Sequence, residues 1–283
     1  QRRLHHTITS RSVKSSCDAD QVRSDTLHKQ GIQRREEAKG TSRRTFVLKR
    51  QSRECETAMT DAERRLLGEI RANPHDTQIR RVYGDMLGER GDERGEYTQI
   101  ALQETWGDAK PRYDELSRRE GEWAAELGLG TIFCQWHRGL PALISTDVDA
   151  FVSHAEALAR LPIENVTLSG PRHATVESLC EALVAVSSPA FERLALLSLQ
   201  LGADARHVFE SRALAPLRYL HVRDDLRDSI ASLGSTEHVR DLRELELPQC
   251  RIDDRGISAL ARSQRFASLR SLSLRGNDLG REG

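Results

Sequence analysis

The segments 242–252 and 269–279 repeat one spacing of apolar side chains. In both segments apolar residues occupy the first, fourth, sixth and eleventh positions, and the ninth position is Cys250 in one copy and Asn277 in the other. A fixed period of roughly 20–50 residues indicates structural units that cannot bury their apolar faces alone and must stack on one another. The spacing therefore predicts neighbouring coils of chain whose leucines share one core.

Three weaker copies precede these two and begin at Ile163, Leu194 and Leu217, so the intervals between the starts are uneven. The alternation of the apolar positions predicts a short strand in each copy, because successive side chains of a strand point to opposite faces. Apolar residues with helical spacing follow each strand, as Ile257 and Leu260 do. Stacked strands need a common register, whereas the helical return segment can vary in length.

The pattern Leu-x-x-Leu-x-Leu-x-x-Cys/Asn-x-Ile/Leu, its period of about 27 residues and the helical return segments resemble the ribonuclease-inhibitor subclass of leucine-rich repeat proteins. The resemblance implies an α/β fold in which residues 163–283 hold about five repeats, the last one incomplete. It implies a solenoid with parallel strands on its concave face and helices on its convex face. Cys250 and Asn277 then have structural roles, with side chains inside the turns that satisfy backbone groups of neighbouring coils.

The side chains between the inward-pointing leucines are predicted to form the exposed concave face. Alignment of the second copy on Leu194 places Leu196, Ser198 and Gln200 on this face. We expect the face to bind an unidentified protein, because concave faces of repeat proteins commonly bind partners and Tyr and Arg are typical of interface hot spots. The predicted partner-binding residues form a mixed-charge patch with one aromatic ring: Tyr219, His221, Arg223, Glu244, Glu246 and Arg275.

Residues 59–127 show helical periodicity and are expected to form a small all-α module. Thr60 and Glu63 have the spacing of a capping box, and Pro74 ends the first helix. A second helix with Val82 in its apolar stripe, a third that begins near Asp92 and a single helix over 111–127 complete the module. Residues 128–162 are predicted to form a connecting strand and an N-terminal cap helix that begins at Thr146.

The turn Gly91-Asp92-Glu93-Arg94-Gly95-Glu96 and the preceding Asn73-Pro74 are unusual features of this module. They resemble the repeat-companion domain, a short bacterial module found ahead of repeat arrays, which confers no known activity. Members usually have alanine at the position of Gly84 and glutamate at that of Gly88. Each glycine inside a helix costs about 1 kcal/mol relative to alanine, so we expect looser packing here.

Residues 1–58 hold 14 Lys and Arg against 7 Asp and Glu, although the whole chain holds 43 of each. The segment lacks helical or strand periodicity and has few apolar side chains, which predicts a disordered basic extension. It is also consistent with upstream sequence that is not translated, because Met59 immediately precedes the first capping box. The alternative function for this arm is nucleic-acid binding, which requires steep weakening by salt.

Catalysis is the other alternative, with a site around Asp85, Asp92 and Glu96 of the acidic companion module. We favour a non-catalytic protein, since these carboxylates also fit helix caps and a salt-bridged turn. The sequence has no phosphate-binding loop, nucleophile elbow or zinc-binding His-Glu-x-x-His motif, and its cysteines form no Cys-x-x-Cys pair. We therefore expect no cofactor and no metal. The absence of a long apolar run predicts a cytoplasmic protein with no membrane partner.

Overall fold

A computed structural model describes residues 59–130 and 132–280, and the predictions for residues 1–58 lie outside them. The chain forms a seven-stranded sheet in which the strand order follows the chain order. β1 and β2 pair antiparallel, and every following strand pairs parallel with the one before it. The strands are β1 (Phe133–His137), β2 (Leu140–Thr146), β3 (Asn165–Ser169), β4 (Arg193–Leu197), β5 (Tyr219–Arg223), β6 (Glu244–Glu246) and β7 (Ser271–Ser273).

Helical segments connect the parallel strands, as the periodicity predicts. Their bounds are α6 (Val148–Ser153) and α7 (Ala155–Leu158) before β3, α8 (Val176–Val186) before β4, α9 (Ala205–Phe209) before β5, α10 (Ile230–Ser235) before β6 and α11 (Asp254–Ala261) before β7. Three short 3-10 helices, Gly202–Asp204, Arg212–Leu214 and Glu237–Val239, complete the return segments. Asp147 caps α6 by accepting from the Ala150 N–H, so the predicted cap at Thr146 is wrong, because Thr146 ends β2.

The helices before the sheet are α1 (Asp61–Ala72), α2 (Thr77–Glu89), α3 (Glu93–Ala101), the 3-10 helix Gly107–Ala109, α4 (Lys110–Ser117) and α5 (Glu120–Glu126). The Thr60 hydroxyl accepts from the Glu63 N–H at 3.2 Å, which confirms the predicted cap at Thr60. The Glu63 carboxylate, the other member of the predicted capping box, accepts from Tyr83 and Arg90. The predicted single helix over 111–127 is wrong, because the Arg119 N–H bonds to the Leu116 carbonyl, three residues back, in the turn that separates α4 from α5. Val82 is 45% exposed and lies outside the core.

The register of β4 corrects the predicted alignment of the second copy. Arg193 pairs with Asn165 on one side and Tyr219 on the other, whereas Leu196 pairs with Leu168 and is buried. The physical reason is Phe191, which is fully buried and fills the first apolar position of this copy. The copies therefore start at positions 163, 191, 217, 242 and 269, and the intervals between them are more even than the sequence alignment gives.

Besides Gln200 and Arg251, one position of the turn after the strand adopts a left-handed conformation in four of the five copies. Its φ is +86° at Gly170 and +73° at Gly276, where glycine adopts it without strain, and +60° at Ser198 and +56° at Gln249. The N–H groups of Gly170, Ser198 and Gln249 each bond to a carbonyl of the following copy. These turns therefore add hydrogen bonds between neighbouring coils beyond those of the strands.

Two arginines of the N-terminal helices join them to the sheet region. Arg71 of α1 donates from Nη2 to the Ala185 and Val186 carbonyls, at 3.3 and 3.4 Å, at the C-terminal end of α8. Arg80 of α2 is fully buried and donates to the Arg138 carbonyl at 3.4 Å. Since free carbonyls at a helix end carry partial negative charge, Arg71 stabilises α8 as well as the docked helices.

Helices α2 and α3 approach closely at Gly95. A Cβ atom on Gly95 would lie 2.5 Å from the Gly84 carbonyl oxygen and 2.5 Å from the Gly88 nitrogen. The glycines of α2 therefore border a close helix contact. Gly88 itself is exposed, and a Cβ there would meet nothing within 4 Å.

Gly95→Ala is expected to lower the free energy of unfolding by about 2–3 kcal/mol, because its methyl group collides with backbone atoms that cannot move independently. Gly88→Ala is the matched control and is expected to raise stability by about 1 kcal/mol through helix propensity alone. Urea unfolding followed by circular dichroism measures both. Equal effects of the two substitutions would contradict the close contact.

Candidate functional site

The solvent-facing side of β4, β5 and β6 brings together four of the six predicted partner-binding residues. Tyr219 pairs with Glu244, and His221 pairs with Glu246, on adjacent parallel strands. The alternation that buries Leu220 and Leu245 turns these four side chains to the opposite face. The other two residues lie at the carboxyl end: Arg223 ends β5, about 13 Å along the strand from Tyr219, and Arg275 follows β7.

An arginine that the sequence alignment missed completes this cluster. The Arg193 guanidinium carbon lies 4.0 Å from the centre of the Tyr219 ring, a cation–π geometry. The Tyr219 and His221 rings meet edge to face at 6.5 Å, and His221 Nδ1 lies 3.8 Å from Glu246 Oε2. Burial and the Glu246 carboxylate raise the pKa of Tyr219, so its hydroxyl stays protonated. The sequence feature that could have placed Arg193 on this face is Phe191, an aromatic residue at the first position of the copy, where the other copies have Leu or Ile.

A groove of about 370 Å³ lies beside this cluster, at the amino ends of β4, β5 and β6. Arginines precede three successive strands at the same register, as Arg218, Arg243 and Arg270. Their backbones form a ladder in which the Arg218 carbonyl accepts from the Arg243 N–H, and the Arg243 carbonyl accepts from the Arg270 N–H, each at 2.8 Å. Arg218 also forms an ion pair with Asp241 at 3.5 Å. The residues that line the groove carry charged or aromatic side chains: His75, Glu192, Arg193, Arg218, Tyr219, Arg243 and Glu244.

The parallel copies stack in register and end in similar turns, and known families share this kind of repeated unit. The leucine-rich repeat family model matches residues 240–261 and 267–283. No curated protein and no solved structure matches the chain. The match covers the last two copies, where the spacing of the apolar residues is most regular.

Asn277 and Cys250 hold the turns of these two leucine-rich repeats together. Asn277 Oδ1 accepts from the N–H groups of Cys250 and Ile252, at 2.9 and 3.1 Å. Asn277 Nδ2 donates to the Leu247 and Leu274 carbonyls, at 2.7 and 2.8 Å. The buried Cys250 thiol donates to the Val222 carbonyl one repeat earlier, at 3.1 Å. The Asn277 amide alone thus satisfies four polar groups of the backbone.

Each of the three carboxylates of the catalytic alternative has a protein partner. Asp92 caps α3 and accepts from Arg94 Nε at 3.0 Å, and Glu96 accepts from Arg112 Nη2 at 2.7 Å. Asp85 accepts from Gln99 Nε2 at 2.7 Å. Hydrogen bonding to Arg112 lowers the pKa of Glu96. These contacts connect helices α2, α3 and α4.

No group of three or more His, Cys, Asp and Glu side chains is placed to hold a metal ion within residues 59–130 and 132–280. In the same part of the chain, no helix combines the length and the apolar character needed to cross a membrane.

Burial raises the pKa of Cys250 from 9.0 to about 11. The thiolate is the form that alkylating reagents attack, and at pH 8 its fraction falls about a hundredfold relative to a free thiol. Iodoacetamide is therefore expected to leave Cys250 unmodified in the native protein and to modify it in urea, with the half-buried Cys180 as the internal comparison. Peptide mapping by mass spectrometry measures both. Fast native alkylation of Cys250 would contradict the buried position.

Because the folded state holds the Cys250 thiol neutral, the contribution of this thiol to the free energy of unfolding is complete below pH 9 and declines towards pH 11.

Proposed function

We propose that this chain is a non-catalytic protein-interaction module and that its partner binds the solvent-facing side of β4–β7. The observation that carries the proposal is the register of the strands, which places Tyr219, His221, Glu244 and Glu246 side by side with Arg193 stacked on Tyr219. Aromatic and arginine side chains that are already ordered lose little entropy on binding, which is typical of interface hot spots. The leucine-rich repeat match supports it, because such repeats generally mediate protein interactions.

The chemistry of this face favours a polar partner with both signs of charge. Arg223, Glu244 and Arg275 are exposed, and Tyr219 and His221 are half-buried. Among the large exposed apolar side chains of the described residues, Val82, Phe133 and Leu279 lie outside β4–β7. The fourth, Leu272, pairs with the buried Leu245 and so points to the opposite face of β7. Charges on the partner that complement those of this face contribute more to specificity and association rate than to affinity.

We further propose that residues 163–280 form a short curved solenoid of the ribonuclease-inhibitor subclass. The parallel strands, the helical return segments and the nearly constant interval between the copies support this assignment. On this view, the helices of residues 59–127 act as a repeat-companion module that covers the first coil. Leu67, Ile70 and Leu87 share one buried cluster with Ile163 and Val166, and Arg71 and Arg80 fix the orientation.

The double variant Tyr219→Ala, Arg223→Glu is expected to lose the partner while its circular dichroism and unfolding midpoint stay unchanged. The substitutions remove the aromatic anchor and reverse one charge without touching the buried leucines. Affinity capture from cell lysate, followed by mass spectrometry and by titration of the identified purified protein, measures the loss. We expect a weakening of at least about a hundredfold, since hot-spot residues each contribute about 2 kcal/mol or more.

The matched control is Arg206→Glu, His207→Ala, which makes the same changes of charge and ring on the exposed side of α9. This control is expected to bind like the wild type. The proposal is wrong if the partner binds equally to both double variants, or if only the α9 variant loses it.

A further inference from the structure

The turn after β5 is one residue shorter than the turns on either side of it. Four residues separate the buried anchors Leu196 and Leu201, and four separate Leu247 and Ile252. Only three, Arg223 to Asp225, separate Val222 from Leu226. The Ser198 N–H bonds to the Arg223 carbonyl at 2.7 Å, and the Leu226 N–H bonds to the Cys250 carbonyl at 3.0 Å. The short turn is therefore tied to both longer neighbours and is recessed between them.

The recess forms an open depression of about 640 Å³ at the carboxyl ends of β4, β5 and β6. It is on the opposite end of the strands from the groove beside Tyr219. Its lining residues are seven polar or charged residues and one glycine: Ser198, Gln200, Gly202, Arg223, Asp224, Asp225, Gln249 and Arg251. We call it the short-turn depression.

Asp224 is the buried charged residue of the short-turn depression, with only 9% of its surface exposed. Its Oδ1 accepts from the Asp225 N–H at 2.8 Å, but its Oδ2 is buried and has no hydrogen-bond partner among the described residues. Two residues before the next anchor, Asp224 occupies the place of Cys250 and Asn277 in the following copies. Those two side chains bond to neighbouring backbone, whereas Asp224 Oδ2 has no donor among the described residues. A buried carboxylate oxygen without a donor costs stability.

The other charges around the depression leave this carboxylate as the group that needs a partner. Asp225 forms an ion pair with Arg251 at 3.1 Å, so these two charges compensate each other. Arg223 is exposed to solvent, where water and salt screen its repulsion of a bound cation. Ser198, Gln200 and Gln249 add neutral hydrogen-bonding groups. A metal ion fits poorly, because no group of three ligating side chains occurs in the described ranges.

We propose that the short-turn depression receives a lysine or arginine side chain of the partner protein, whose ammonium or guanidinium group pairs with the Asp224 carboxylate. This inference rests on the proposed function, since Arg223 belongs both to the predicted partner-binding face and to the rim of the depression. The depression is open and far larger than an ion, which suits a side chain that projects from a protein surface. A charge-assisted hydrogen bond to a desolvated carboxylate gives such a contact strength and direction.

The test is a titration of the full 15N-labelled chain with N-acetyl-arginine methylamide and N-acetyl-lysine methylamide, followed by NMR. The neutral analogue N-acetyl-glutamine methylamide is the ligand control. We expect at least one of the basic probes to shift the amide signals of 198–202, 223–225 and 249–251 in a saturable way, and the neutral analogue to leave them unchanged. The absence of saturable shifts with both basic probes overturns the proposal.

Asp224→Asn keeps the shape of the side chain and removes its charge, and it is expected to weaken binding of the basic probe about tenfold or more. Asp228→Asn is the matched control, because Asp228 is exposed, four residues further along the chain, and does not line the depression. A glycine inserted between Arg223 and Asp224 restores a four-residue turn and is expected to abolish the shifts by filling the recess. Equal binding by wild type and Asp224→Asn, or undiminished binding by the insertion variant, overturns the assignment.

The probe titration separates this inference from the proposed function. If the basic probes fail to bind but the Tyr219→Ala, Arg223→Glu variant still loses its partner, the solvent-facing side binds without the depression. If the probes bind at Asp224 but no partner depends on Tyr219 and Arg223, the depression is a cation site and the proposed function is wrong.

Discussion

The hydrogen-bonded register between neighbouring parallel strands is the constraint on which this protein depends. It holds Val166, Leu194, Leu220 and Leu245 in one continuous buried row, so each coil completes the core of the next. A slip of one residue would turn every leucine of a strand to solvent and every exposed residue inward. The same register therefore determines both the core and the composition of the solvent-facing side.

A difference of one residue in the length of a turn changes the shape of the surface at that turn. Where four residues separate the anchors, a side chain such as Asn277 or Cys250 closes the turn by bonding to backbone groups. Where one residue is missing, the coil recedes and Asp224 keeps an unpaired carboxylate oxygen. Repeat proteins can thus acquire a pocket without altering their leucines, because the turn lies outside the stacked row.

The sequence predicted most of the fold and part of the candidate site. The repeated spacing of apolar residues predicted the short strands, and Thr60 predicted the first helix cap, because both depend on local spacing. The resemblance to leucine-rich repeats implied that the strands are parallel. The second copy was misaligned because Leu194 and Leu197 fit the leucine pattern while Phe191 does not. Because of this misalignment, Arg193 was not predicted to lie on the solvent-facing side. The close contact at Gly95 and the recess around Asp224 depend on how separate segments pack, which no linear pattern contains.

Disulfide formation between engineered cysteines tests the register most directly, at the pair where alignment and structure disagree. Thr167 lies opposite Ala195 in the structure, whereas alignment on Leu194 places it opposite Ser198. Adjacent strands are about 4.8 Å apart, within the range of a disulfide, while three residues along a strand add about 10 Å. Mild oxidation is therefore expected to link Thr167→Cys with Ala195→Cys, and peptide mapping should find no link between Thr167→Cys and Ser198→Cys. A link in the second pair and none in the first would contradict the stacking described above.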